Sequence, residues 1–200
     1  MNRSPKPRGR AFTLPELLIL AFCLSLIAVL VLPALAANRA HSRRIQCVEN
    51  LKQIGLAFRA WSPSESIASD SVYLHFQAMS NELSTPAVLV CPEDPQRSRA
   101  RSFGPGFDDR NISYFVGVDA VDTMPDMLLS GDDNLLLSGQ PVKRGLLELP
   151  TNAPVAWSAS RHIKQGNLCL ADGSVQQLSS AKLALSVQWS GVATNRLLMP

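Results

Sequence analysis

The sequence has no C-x-x-C pair, no G-x-S-x-G elbow and no glycine-rich phosphate loop. The first absence argues against a thiolate zinc site, and the second against a serine hydrolase elbow. The third leaves no motif to cradle a nucleotide phosphate. A D-x-[DN]-x-[DN]-G calcium loop is missing too. Charge of one sign is scarce: a net +3 is too small to point to nucleic acid. Neither a helix-turn-helix pattern nor an interleaved basic and aromatic array is present. With no paired acid and base at a recognisable spacing, neither an enzyme nor a nucleic-acid partner is expected.

The most informative absence is local. Residues 17–37 contain no charged side chain, a run of 21 residues. A helix rising about 1.5 Å per residue crosses a hydrocarbon layer of about 30 Å with such a run. Helical geometry also satisfies the backbone where water is excluded. Arg3, Lys6, Arg8 and Arg10 precede the run, and Arg39, Arg43 and Arg44 follow it. The N-terminal flank is the more basic by one residue, so the positive-inside rule keeps residues 1–11 in the cytoplasm. Glu16 sits at the lip of the run. A carboxylate sinking toward the bilayer centre costs a few kcal/mol, so it calls for a partner.

The ordered set of basic residues, a small residue, Phe12-Thr13-Leu14-Pro15-Glu16 and an apolar run resembles the class III signal of type IV prepilins and type II secretion pseudopilins. The resemblance implies a prepilin peptidase cut between Ala11 and Phe12, followed by methylation of the new Phe12 amine. It implies that Glu16 steers assembly by pairing with that amine on a neighbouring copy. Pro33 falls where many pilins carry a helix-kinking proline. Ala11 stands where the family commonly has Gly, and Pro15 where it has Ile or Val. A proline is tolerated in the first turn of a helix. The implied fold is α+β and pilin-like, a long N-terminal helix packed against a small antiparallel β-sheet head. The implied function is a structural subunit of a pilus-like filament or secretion pseudopilus. Its partners would be other copies, related pseudopilins, the peptidase, an inner-membrane assembly platform and membrane lipid. It would sit in a bacterial inner membrane as a single-pass protein, head outside the cytoplasm, and later in a filament.

Two other readings stay open. Ala34-Leu35-Ala36 supplies the A-x-A exit of a secretory signal, although the apolar run exceeds the usual 7–15 residues and Glu16 interrupts its edge. An uncleaved anchor carrying an extracytoplasmic binding domain is the other.

The chain then divides into a leader (1–11), a membrane half-helix (12–37), an amphipathic half-helix (38–61) and a globular head (62–200). Cys47, Leu51, Ile54, Phe58 and Trp61 recur at spacings of four, three, four and three, one apolar stripe along a helix over 13–61. Gly55 costs about 1 kcal/mol there relative to Ala, unless it permits a close approach. A turn follows at 65–71, then a short helix at 72–83. Strands are expected at 87–91, 112–118, 135–137, 146–149 and 155–158. A hairpin pairs 167–170 with 174–178 through Ala171-Asp172-Gly173. A helix at 179–189 and a strand at 196–199 close the chain. The Asp-Gly turn and the segments NLKQIGLAFRAW and VLVCPED are similar to a branch of pseudopilin-like proteins found in bacteria with expanded sets of such genes.

Cys23 in the span reads as apolar filler. Among Cys47, Cys91 and Cys169, a Cys47–Cys91 disulfide is favoured, with Cys91–Cys169 or three separate thiols as rivals. The acidic stretch 119–134 reads as a solvated loop. Its Asp132, Asp133 and Asn134 are calcium candidates, and the resemblance adds that some major pseudopilins hold calcium in the head. His162, Asp172 and Ser174 suggest a hydrolase triad, but Asp172 is better explained by the turn.

Overall fold

The computed structural model describes residues 13–61 and 71–200. The turn expected at 65–71 lies outside them except for Ser71. Helix α1, Leu14–Ala60, contains Pro33 and ends with Arg59 in its last turn. The chain divides into two compact units at His41 and Ser42. In the first unit, every residue from 13 to 33 is exposed. Leu14–Pro33 is long and apolar enough to cross a membrane, with mean hydropathy 2.6.

The second unit is an α+β head built on an antiparallel sheet. Cys47, Leu51, Ile54 and Ala57 are buried along the α1 segment that belongs to it. Phe58 and Trp61 are only partly buried beside them. Burying each large aliphatic side chain contributes about 1.5–3 kcal/mol, so this stripe holds the segment to the head. The helix expected at 72–83 is broken at Met79 into α2, Val72–Ala78, and α3, Ser80–Leu83. Its stripe of Val72, Phe76, Met79 and Leu83 is nonetheless entirely buried.

Residues 87–91 do not form the expected strand. Pro86–Leu89 is a 3-10 turn, capped by Thr85 Oγ1 accepting from the Ala87 amide. Pro86 opens it because a proline has the φ of a first helical residue and no N–H to waste. The next strand is also shorter than 112–118. Ser113 donates its amide to Leu89 instead of to a neighbouring strand, so β1 is Tyr114–Gly117.

The acidic stretch likewise departs from a solvated loop. Strand β2, Leu128–Asp132, lies inside it and is buried at every position. Ser130 donates to the Phe115 carbonyl at 2.7 Å, and Asp132 accepts from Asn167. Polar residues tolerate a buried strand when their hydrogen bonds are made. Strands β3, Leu135–Leu137, and β4, Gln140–Pro141, form a hairpin through Ser138 and Gly139. Both turn residues have positive φ, the geometry of a two-residue type I′ connection. Then come β5, Gly145–Pro150, β6, Val155–Trp157, β7, Gln165–Leu170, β8, Val175–Ser179, α4, Ser180–Gln188, and β9, Thr194–Met199.

The large sheet runs β5-β9-β1-β2-β7-β8, and the small one β4-β3-β6. Side chains alternate through the large sheet. Tyr114, Val116, Leu129, Cys169 and Leu198 join the core that contains the α1 stripe and Phe76. Phe115, Leu128, Leu168, Leu170, Leu197 and Met199 join a second core with Trp157 and the α4 residues Leu183 and Val187. The inner strands β1 and β2 are therefore buried on both faces, while the edge strands β5 and β8 keep exposed positions.

Candidate functional site

Ala11 and Phe12, the expected cut, lie outside the described residues. Thr13 is the residue before α1, and Glu16 lies in the first turn. The Thr13 amide and hydroxyl both donate to Glu16 Oε2, each at 2.8 Å. The amide bond is half of a capping box, in which a third-position Glu reaches back to the N-cap amide. Glu16 thus has a local partner in the single chain. Pro33 sits within the continuous helix, where its missing N–H removes one backbone hydrogen bond. Ser25 donates its hydroxyl to the Phe22 carbonyl at 2.7 Å, leaving that side chain satisfied without water.

In the head, Cys47 and Cys91 are disulfide-bonded, with Cα atoms 5.2 Å apart. Cys169 is a buried free thiol, and burial pushes it up to about 12. Gly55 explains why a glycine stands in mid-helix: a Cβ there would sit 2.7 Å from Cys169 Sγ. The hairpin arrives from β7 on the other side of that contact. In its turn, Asp172 Oδ1 accepts the Ser174 amide at 2.7 Å, and the Ser174 hydroxyl, with that amide second, holds the Asp172 carboxyl below its usual range. Arg59 donates to the Asp172 carbonyl at 3.0 Å.

Beside the disulfide lies a buried polar cluster. Arg161, 4 % exposed at its side chain, pairs with Asp94 at 3.0 Å and also with Asp133. Arg97 donates to Asp133 Oδ2 at 2.8 Å and to the Asp109 carbonyl at 2.6 Å. His162 Nδ1 lies 2.9 Å from Glu93 Oε2, and its Nε2 lies 3.3 Å from Cys91 Sγ. Asp132 is 0 % exposed. Its Oδ2 accepts the Asn167 amide at 2.7 Å and the Asn167 side chain at 2.9 Å. Burial pushes its carboxyl up, against the opposing pull of Arg161 and His162.

The turn that presents this cluster is strained. His162, Ile163 and Lys164 all have positive φ. Such geometry costs about 1–3 kcal/mol per non-glycine residue, and a β-branched residue is the least suited to it. Two anchors hold it: Arg44 donates to the His162 carbonyl at 2.7 Å, and the His162 amide donates to Glu93 at 3.1 Å.

A cleft of about 410 Å³ opens over Arg97, Asp94, Asp133 and Arg161. Its guanidinium groups are matched by carboxylates, so the floor is a clamp between distant segments rather than an open anion receptor. Of the calcium candidates, Asp132 is turned to Asn167 and Asp133 to the two arginines. Asn134 directs its amide toward the Ser158 carbonyl at 3.4 Å. His162 is not joined by a hydrogen bond to Asp172 or Ser174 among the described residues.

Glu93 and Asp94 close the VLVCPED segment, but nothing in the sequence joins them to Arg161 and His162, because those pairs span 67 and 69 residues. Their one signal is a dense set of charges immediately after Cys91 and again at 161–164. No family model, curated protein or solved structure matches this chain.

Proposed function

We propose that the chain is a structural subunit of a type IV pilus-like filament or type II secretion pseudopilus. On this reading it is cut before Phe12, methylated, and polymerised through the apolar half of α1. One observation carries the proposal: the apolar helical run Leu14–Pro33, exposed at every position, with an acid in its first turn. Helices of neighbouring copies would replace lipid along that surface as subunits leave the bilayer. Glu16 would set the axial register by meeting the Phe12 amine of the next copy. The head, a closed two-core body, would form the outer face of the polymer. Its partners are further copies, related subunits, the processing peptidase, an assembly platform in the inner membrane and lipid. The role is structural, without catalysis or nucleic acid.

The Thr13–Glu16 contact favours a second reading, since a carboxylate satisfied within its own chain needs no neighbour. On that reading the helix is only an anchor or export signal for an extracytoplasmic binding domain. Shearing cells that express the chain with a complete assembly system, then pelleting the released material, separates the two. Filaments containing the chain support the polymer, and its recovery in the membrane fraction alone contradicts it.

A further inference from the structure

The Cys47–Cys91 disulfide lies against side chains that bind metals. Both cysteines and His162 are buried, and their ligand atoms all lie within 4.8 Å of one another. Asp132 Oδ2 is 3.5 Å from His162 Nε2, and that nitrogen is 3.3 Å from Cys91 Sγ. Asp132 Oδ1 has no hydrogen-bond partner among the described residues. A tetrahedral zinc ion with ligands at about 2.0–2.3 Å separates them by about 3.3–3.8 Å. The two spacings at the imidazole already fall in that range. The sulfur–sulfur bond prevents both cysteines from reaching one ion, and Asp132, which stands outside the three-residue group, would have to shift toward the sulfurs to complete a fourth position.

We propose that the head has a second state in which Cys47 Sγ, Cys91 Sγ, His162 Nε2 and an Asp132 carboxylate oxygen hold one zinc-class divalent ion. The step to it balances. An external dithiol gives two electrons and two protons to the disulfide, yielding two thiols and becoming a disulfide itself. The ion then displaces the two thiol protons and binds the thiolates. Two thiolates and one carboxylate bring three negative charges to a doubly positive ion. The remaining charge faces Arg161, which already acts on Asp132 electrostatically. Sulfur and imidazole donors favour zinc over calcium. Glu93 Oε2, 2.9 Å from His162 Nδ1 though not in hydrogen-bond alignment, is placed to orient the ligating ring. Either cross-link clips the α1 segment to the same point of the head. A chain that has not yet been oxidised would then be held together by the ion.

The test uses the full chain in detergent with Cys23→Ser and Cys169→Ser, which removes the two other thiols. It is reduced with a dithiol, freed of reductant and metal under argon, and titrated with cobalt(II). The proposal expects one equivalent bound, with thiolate-to-cobalt charge-transfer absorption and intense tetrahedral d–d bands, both erased by added zinc. The oxidised chain should show neither. His162→Ala should weaken binding at least tenfold, and Asp132→Asn should alter the d–d bands. Comparing oxidised and reduced wild-type ligands needs no folded variant. Absence of charge-transfer absorption in the reduced chain overturns the proposal, as does equal absorption in the oxidised chain.

Discussion

The Thr13 amide donates to Glu16 Oε2 at 2.8 Å, closing the first turn of α1. This bond and the proposed pairing with a neighbour's Phe12 amine make opposite demands on a substitution. A cap uses the hydrogen-bonding shape of the side chain and contributes about 1 kcal/mol, and Gln serves as well as Glu at that position. Pairing with an amine uses the charge. Glu16→Gln and Glu16→Ala should therefore both be processed normally, and both should lower the yield of sheared filaments about tenfold or more. Normal filaments from Glu16→Gln, with loss only in Glu16→Ala, would show that the acid serves only as a cap.

Arg161 joins three segments that lie far apart in the chain. Removing one partner of a buried ionic network costs about 3–5 kcal/mol, because the others are left unpaired out of water. Arg161→Met should lower the stability of the head by that amount in urea unfolding. Arg161→Lys should fall between, since one ammonium cannot serve Asp94 and Asp133 with the same fork. A loss below about 1 kcal/mol for Arg161→Met would mean that the carboxylates find water.

Gly55 and Cys169 form a pair whose energies do not add. Gly55→Ala gains about 1 kcal/mol of helix propensity but drives a methyl to within 2.7 Å of Cys169 Sγ. Overpacking of that kind costs about 1–3 kcal/mol. Gly55→Ala should therefore destabilise the natural chain. In a Cys169→Ala background the sulfur is gone, and the same change should become neutral or stabilising. A double-mutant cycle with no coupling would remove this account of the glycine.

Burial raises the Cys169 thiol from 9.0 to about 12. A group raised on folding keeps its proton longer in the folded chain than in the unfolded one. Its contribution to stability is therefore complete below pH 9 and declines as pH rises from 9 toward 12. Urea unfolding between pH 8 and 10.5 should show a decline that is shallower in Cys169→Ala. Equal slopes would mean that the thiol meets solvent in the folded state.

Local patterns carried much of the fold. The stripe of α1 and the Asp-Gly turn were legible because each depends on residues a few positions apart. The 3-10 turn at Pro86 reads as a strand from sequence because Ala87-Val88-Leu89-Val90 has strand composition, while the deciding features are Thr85 and Pro86 before it. Strand β2 was hidden for a different reason. Ser130 and Asp132 look solvated until the Phe115 carbonyl takes the Ser130 hydroxyl and Asn167 donates to Asp132 Oδ2. The same distance effect conceals the polar cluster and the cysteine–histidine group, whose members have no short-range spacing. By contrast, the membrane-length run and its acid were plain, since a span is a property of consecutive residues.

The mature N-terminus is the most direct test of the central claim. Full-length chain should be produced in cells with an active prepilin peptidase, extracted from the membrane, and analysed by N-terminal sequencing and intact mass. The account predicts a chain beginning at Phe12 with one added methyl group. A chain still beginning at Met1, or one beginning at Ala37 or Asn38, would contradict it.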